Sequence, residues 1–573
     1  MKVRPVYPES DVSSSSQLPT KSRRKYRTSV CSYRSFLLLL LGLVAGCVLF
    51  FYDHVQDTGV SSGRKKVSLK DGVNVKSRLY VNEAQLNAEL VKVAQRETLC
   101  RVPKDRKQRT PSCKVLIAYE NFAGRISKSD YEKALNEAGL KYTLLDKPGG
   151  LFREYTAEMA WDPSTVTASN YRSLTFHHED YGEVNLWMLA QWAVCARQER
   201  SVAEIEADPQ PHLDTIRDEL YQYAAFIEWA IKQLEAFTPS VVIVAQGHYH
   251  FGAGVRAAAI LMGLQAVALE TPINNRRLAW STISGISVDR GIERNLYWRY
   301  AEFVKPKQAE AEVQRYLRSA KASKMLVHAS PEDAGPLAGW LQARPPGTRT
   351  LAFLAQVYTD TASILNIAAG FTSQAHAIWT VAKWCADNAQ PLVIKFHPRE
   401  TPPKDMLPIY GPRLNHLTLR RLRELYDWDG LLANHSGLIL ADSSNSIDTF
   451  AVIDACDAVV TINSGAGLEA LLKGKEVILT GNAFYGGLGF THQVESPASL
   501  TSKLAEVLQG PSLKLNRGPE PAKFFFVFNR WATIPKKAQA VVERACGFPD
   551  RWPLPKSQLC EDDDGDNDLG TWI

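Results

Sequence analysis

The chain has 573 residues, 45% of them hydrophobic, enough for two or more cores, because a single core rarely grows beyond about 250–300 residues. The net charge of +6 gathers in residues 1–35, where Lys2, Arg4, Lys21, Arg23, Arg24, Lys25, Arg27 and Arg34 face only Glu9 and Asp11. The remainder is close to neutral and carries no nucleic-acid footprint, and the nine cysteines form no CxxC or Cys/His cluster with metal-ligand spacing.

The basic leader runs into an uninterrupted apolar stretch, FLLLLLGLVAGCVLFFY at 36–52. About 17–20 such residues cross the hydrocarbon layer, and positive charge before them keeps the N-terminus cytoplasmic. A cleaved signal peptide would need a shorter apolar region and a small-x-small site. Phe50-Phe51-Tyr52 end the run instead, so the sequence predicts one uncleaved transmembrane anchor of type II, with a stem over 53–112. The stem has one helical patch, around 83–96. In an oxidising lumen Cys100 with Cys113, and Cys546 with Cys560, could each close a local loop. Cys195, Cys385 and Cys456 read as core thiols, and Asn434-His435-Ser436 as a candidate glycan acceptor.

Ordered structure is expected from Lys114. Strands are predicted over 115–120, 141–145, 241–245 and 265–269, with helices over 131–138, 183–200, 213–237 and 254–261. This β/α alternation marks a doubly wound domain over 113–300. Trp187, Leu189, Trp192 and Cys195 on the second helix read as core packing. Gly247-His248-Tyr249-His250 follows a strand on the side where open α/β sheets bind ligands. Its two histidines lack a third metal ligand. Glu270 ends the next strand before a Thr-Pro turn, placed for chemistry or simply solvated.

A charged helix over 301–324 lies in a linker region, 301–345, before a second α/β domain over 346–515; 516–573 reads as a closing helix and an acidic tail. In the second domain, strands are expected over 350–355, ending in Gln356-Val357-Tyr358-Thr359-Asp360, and over 391–396, ending in His397-Pro398-Arg399-Glu400. A strand at 437–441 and helices at 376–388 and 448–456 complete the approach to its organising stretch, 454–492. There a β-branched strand at 458–462 stops at Asn463-Ser464-Gly465, and a helix over 466–472 opens with its N–H groups toward a ligand, a ready anion site. Glu469 lies one turn inside, followed by a strand at 477–479 and a Gly-rich loop at 481–489. Closing helices are predicted over 500–508 and 535–544. Asp427-Trp428-Asp429 reads either as a divalent-ion string or as a turn.

Strand, Ser-Gly turn, helix with an internal Glu, strand and Gly loop together resemble the nucleotide half of a GT-B glycosyltransferase. More narrowly, QVYTD at 356–360, IKFHP at 394–398, SGAGLEALLKGK at 464–475 and GNAFYGGLGFTH at 481–492 resemble the bacterial capsule polysaccharide β-Kdo transferases (KpsS/KpsC-type). Leu488 stands where that family has a tryptophan, and no acidic residue follows Thr491 at 492–493. The segment at 270–289 is similar more loosely.

The resemblance implies a GT-B fold of two Rossmann-like domains and a retaining transfer from a CMP-Kdo donor. It implies no metal and no cofactor beyond that donor substrate. Asp360 would be the nucleophile, since retention needs a carboxylate beneath the anomeric carbon. Glu270 would be the general base for the acceptor hydroxyl. Gln356 would hold the sugar; Lys395 and His397, beside Pro398, would neutralise the departing phosphate. Ser464 and Gly465 would bind the same phosphate, and Glu469 the ribose. Structural alternatives stand beside these: Asp360 as a helix cap, His397-Pro398 as a strand-end turn, Glu469 as an exposed carboxylate. With the anchor, the whole reads as a Golgi type II transferase with a lumenal catalytic domain, whose partners are a nucleotide sugar, a glycan acceptor and the membrane. A GT-B enzyme using another sugar nucleotide and a non-catalytic glycan-binding protein are the competing readings.

Overall fold

The computed structural model describes residues 113–119, 126–147, 162–245, 250–270, 277–281, 294, 297–298, 300–325, 335–344, 347–401, 415–510, 518–531 and 533–547. The apolar stretch at 36–52, the stem, His248, Cys100, Cys560 and the acidic tail lie outside them. Among the described residues no helix is long and apolar enough to cross a membrane.

Two six-stranded sheets organise the chain, each with helices on both faces. The first contains β1 (Lys114–Tyr119), β2 (Lys141–Asp146), β5 (Val241–Ala245), β6 (Gln265–Glu270) and β7 (Arg277–Ser281). Its sixth strand, β14 (Thr533–Pro535), comes from the far end of the chain, giving the order β14-β7-β6-β5-β1-β2. β2, β1, β5 and β6 are parallel, and β7 and β14 are antiparallel additions. The inner parallel strands β1, β5 and β6 are buried on both faces, which is why they read as apolar runs, whereas β2 at the edge is largely half-buried. Leu116, Ala118, Val242 and Val244 point into one core with the helices α2 (Leu186–Gln198) and α4 (Leu213–Phe237). Val115, Ile117, Val241 and Ile243 point into the other, beneath α1 (Lys128–Glu137) and α16 (Ala538–Gly547).

The helix expected from residue 183 begins only at Leu186, because β4 (Gly182–Asn185) pairs with β3 (Thr175–His178) as a hairpin. Asn185 then caps α2, its side chain accepting from the Met188 N–H at 2.9 Å. Helix α3 (Val202–Ala207) follows with a Ser201/Glu204 capping box. Helix α5 (His250–Leu261) starts four residues ahead of the expected position.

The second sheet is entirely parallel: β8 (Leu351–Leu354), β9 (Leu392–Lys395), β10 (Ile439–Asp442), β11 (Ala458–Thr461), β12 (Glu476–Leu479) and β13 (His492–Gln493). Its lateral order, β10-β9-β8-β11-β12-β13, is 3-2-1-4-5-6 when the strands are counted along the chain, the Rossmann order. Leu351 and Phe353 face one core and Ala352 and Leu354 the other. The linker helix α6 (Pro306–Met325) packs against α15 (Glu520–Phe526), where Tyr316 meets Phe525 with ring centroids 4.8 Å apart.

One cysteine pairing differs from the expected local loops. Cys113, just before β1, is disulfide-bonded to Cys546 near the end of α16, across 433 residues of sequence. Neighbouring cysteines in the sequence suggested short loops; the return of the chain to the first lobe brings these two together instead. Cys195, Cys385 and Cys456 are free and buried, as expected for core thiols.

Candidate active site

In a doubly wound sheet a crevice opens at the carboxyl ends of the strands where the lateral order reverses. In the second lobe that point lies between β8 and β11, and the four strand-end segments singled out in the sequence converge on it. Gln356 leaves β8 buried, its side-chain carbonyl accepting from the Asn463 N–H after β11 at 3.1 Å. Its backbone is bracketed by the side chain of Gln374, which opens α9 (Gln374–Asp387): one bond at 2.8 Å to the Gln356 N–H and one at 2.8 Å to its carbonyl. Thus one glutamine stitches the two strand ends across the reversal. Its oxygen is already engaged, a constraint on any role in holding a sugar.

Asp360 ends the turn that follows. Its N–H donates to Val357 at 2.9 Å and its carbonyl accepts from Ile364 at 2.9 Å, so it stands at the N-cap position of α8 (Thr361–Asn366). The turn lies where the lobes meet. The indole of Trp192 on α2 donates to the Thr359 carbonyl at 3.2 Å, the phenol of Tyr358 donates to Glu204 of α3 at 3.2 Å, and Ile364 is buried in the core of the first lobe. Burial and Glu204 together push the Tyr358 phenol well above its ordinary range.

His397 follows β9 and caps the single turn Pro398–Glu400 with its side chain: Nδ1 accepts from the Arg399 N–H at 3.2 Å. In the neutral ring this leaves the proton on Nε2, a donor suited to a phosphate oxygen. The histidine is half-buried. Ser464 caps α13 (Gly465–Leu472), its hydroxyl oxygen accepting from Ala466 at 3.2 Å, which leaves the hydroxyl proton to be donated. Gly465 is the first residue of that helix. β9, β8 and β11 are adjacent, so the His397 and Ser464 strand ends lie two strand spacings apart, about 10 Å.

The Gly-rich loop after β12 backs this turn. Tyr485 donates its hydroxyl to the Ser464 carbonyl at 2.6 Å. The ring passes so close to α13 that a Cβ on Gly467 would lie 2.2 Å from its oxygen, which is why glycine stands there. Gly481 likewise lets the loop meet the end of α8, where a Cβ would come within 2.6 Å of the Asn366 carbonyl. Arg294 reaches the same loop, donating to Asn482 at 2.6 Å and to the Ala483 carbonyl at 3.1 Å.

Two expected donor ligands already have protein partners. The Lys395 ammonium is buried and bonded to Asp442 at 2.8 Å and to Asn445, so it ties β9 to the end of β10. Burial alone would raise the Asp442 carboxyl; Lys395, with the N–H groups of Ser446 and Ile447, holds it below its usual range. Glu469 is buried rather than exposed, and accepts from the phenol of Tyr316 on α6 at 2.8 Å.

Glu270 closes β6 in the first lobe, paired with Ala279 of β7, and is buried rather than solvated. His250 begins α5 with Nε2 bonded to Glu219 at 2.5 Å, a buried carboxylate that also takes Arg197 at 2.7 Å. Its ring packs on Tyr223 and Phe226. Asp427 caps α11 (Trp428–Asn434) by accepting from Gly430 at 3.2 Å, and Asp429 pairs with Arg423 at 2.9 Å, so the D-x-D string forms a helix start. Asn434 is exposed at the end of that helix. Among the described residues no group of three or more His, Cys, Asp or Glu is arranged to hold a metal ion.

Two residues that shape this site, Glu204 and Gln374, come from other helices and carried no local signal. Trp192 was read only as core packing, and Glu400 was seen only as the end of His397-Pro398-Arg399-Glu400, with no role given to it.

Comparison with known proteins gives a family model for the second lobe. Residues 431–508 match the family described as "Capsule polysaccharide biosynthesis protein". Curated proteins give no match. Among solved structures the chain is similar to a β-Kdo 2,4 transferase, KpsC of Thermosulfurimonas dismutans, at 16% identity over 50% of this chain and 79% of that one, TM-score 0.32. It is similar to the β-Kdo 2,7 transferase of the same organism at 15% identity, over 52% of this chain and 79% of that one, TM-score 0.29. The UDP complex of S. aureus MnaA matches at 11% identity over 76% of this chain and 96% of that one, TM-score 0.30. Through the motifs of its second lobe, and over residues 431–508 by family model, the chain resembles the capsule polysaccharide biosynthesis proteins.

Proposed function

We propose that the protein is a glycosyltransferase of GT-B architecture that moves Kdo or a related 2-keto sugar acid from a CMP donor to a glycan acceptor, with retention at the anomeric carbon. The observation that carries this reading is the convergence of Gln356, Asp360, His397 and Ser464 on the strand-end crevice of one Rossmann-ordered sheet. The capsule-synthesis family model covers part of the same lobe.

In the proposed reaction the Asp360 carboxylate attacks the anomeric carbon as the bond to the CMP phosphate breaks and CMP leaves. The departing phosphate takes hydrogen bonds from His397 Nε2 and from Ser464 at the start of α13. An acceptor hydroxyl then gives its proton to Glu270, attacks the same carbon and displaces Asp360, so two inversions give net retention. A CMP donor has a single phosphate, and in this reading the hydrogen-bond donors of the site, rather than a metal ion, meet its charge. The 36–52 segment would anchor the chain in the Golgi membrane as a type II protein. The Cys113–Cys546 disulfide supports an oxidising lumen for the catalytic domain.

The test is donor hydrolysis and transfer by the full-length protein against a panel of sugar nucleotides with chelator present. Release of CMP from CMP-Kdo is the expected result. Release of UDP or GDP would assign a different donor, and glycan binding with no turnover would make the protein a binding module.

A further inference from the structure

We infer that Glu400 is a positioning residue of this site, whose buried carboxylate fixes the turn carrying Asp360 relative to the turn carrying His397. The inference rests on the transferase reading above and adds to it a residue that contacts neither donor nor acceptor.

Glu400 is fully buried. Its Oε1 accepts from the Tyr358 N–H at 2.7 Å and from the Thr418 hydroxyl at 2.9 Å, and its Oε2 accepts from the Thr418 N–H at 2.7 Å. Thr418 lies in the first turn of α10 (Leu417–Leu425), and its hydroxyl is itself oriented by Gln374 Nε2 at 3.0 Å. Gln374 is the residue that brackets the Gln356 backbone. On the main-chain side the Glu400 N–H donates to the His397 carbonyl at 2.9 Å. One residue therefore grips the Gln356–Asp360 segment through its side chain and the His397 turn through its backbone.

The chemistry asks for a carboxylate at this position. All three groups that reach its oxygens are donors, and the ionised form, which prevails above about pH 7, accepts from each without turning a hydrogen toward any of them. An amide of the same shape would bring its NH₂ against the Tyr358 or Thr418 N–H. Burying a carboxylate is costly, and among the described residues its direct partners are hydrogen-bond donors rather than a paired cation. A structural role confined to capping α10 would need only the Thr418 bonds. The bond to Tyr358 crosses from α10 to the catalytic turn.

The test compares the full-length wild type with Glu400→Gln and Thr418→Val, measuring kcat and KM with CMP-Kdo, hydrogen exchange over 356–360 and thermal unfolding. Displacement of a reacting group by about 1 Å can cost on the order of 10²-fold. Glu400→Gln is therefore expected to lower kcat by about 100-fold, leave KM within roughly 3-fold, and speed exchange at the Tyr358 amide. Thr418→Val keeps the Tyr358 bond but removes the hydroxyl that reaches Glu400 and Gln374, and is expected to lower kcat by about 3- to 10-fold. It supplies the readout if Glu400→Gln does not fold. Wild-type kcat in Glu400→Gln, or in Thr418→Val where Glu400→Gln does not fold, or a loss that vanishes when rates are expressed per folded molecule, overturns the positioning role and leaves the transferase reading standing. A wild type that turns over no CMP-sugar removes both.

Discussion

The indole N–H of Trp192 donates to the carbonyl of Thr359 at 3.2 Å, so a helix of the first lobe holds the turn that ends in Asp360 of the second. With Tyr358 bonded to Glu204 and Ile364 buried in the first-lobe core, the proposed nucleophile is set by both lobes at once. Replacing Trp192 by Phe keeps most of the packing and removes this bond. The expected loss is about 1 kcal/mol of stability, with turnover falling more than that figure alone would give. Urea unfolding and initial rates measure the two; wild-type turnover in the variant would show that the lobe contact does not set Asp360.

Asp360→Ala should abolish transfer while nucleotide affinity, measured by calorimetry with CMP, stays within a few fold. Asp360 also stands at the N-cap of α8, so Asp360→Asn, which preserves capping, is the sharper variant. Turnover by Asp360→Asn at the wild-type rate would make the residue a cap and nothing more.

Lys395 and Asp442 form a buried pair, and removing one partner strands the other charge. Lys395→Ala is expected to cost about 3–5 kcal/mol, whereas a double change to Met at 395 and Asn at 442 should recover a large part of that. Equal destabilisation by the single and double variants in denaturant titrations would argue against the pairing.

Reducing the Cys113–Cys546 bond frees α16 from the start of the first sheet, leaving β14 held by its pairing with β7. A loss of about 2–5 kcal/mol is expected for Cys546→Ser, with new protease cleavage between α15 and α16. Identical melting with and without reductant would mean the bond does not form in the isolated protein.

Burial pushes the Glu400 carboxyl up to about 7 from its usual 4.5, against the Tyr358 and Thr418 hydrogen bonds and the charge of Arg420, which pull it down. Between these values the folded chain holds a proton that the unfolded chain releases. This contribution to stability is therefore complete below pH 4.5 and is lost as the pH rises through 7. Unfolding free energy should carry a component falling by at most about 1.4 kcal/mol per pH unit across that window, absent in Glu400→Gln. Parallel pH profiles for the two proteins would exclude it.

Much of this architecture was legible in the sequence because parallel strands buried on both faces appear as short β-branched runs, and 458–462 and 241–245 are such runs. The hairpin at 175–185 was hidden because its second strand, GEVN, passes without a break into a strong helical pattern. β14 was hidden because three residues pair only once the chain has returned to the first lobe. Of the site, residues at strand ends were visible, since the carboxyl edge of an α/β sheet is where ligands bind. The partners of Lys395 and Glu469, Asp442 and Tyr316, were not legible, because spacing along the chain does not reveal which neighbour covers a side chain.

By itself the sequence determined the β/α alternation, the Ser-Gly turn before α13 and the strand-end motifs, all of which depend on residues near one another in the chain. Only the tertiary structure decided that Cys113 meets Cys546, that Lys395 is neutralised by Asp442, and that the Asp360 turn is held by Glu400 from one side and Trp192 from the other. The physical reason is range: local periodicity and turn chemistry act over a few residues, whereas burial and hydrogen-bond pairing between distant segments exist only after both lobes have closed on their cores.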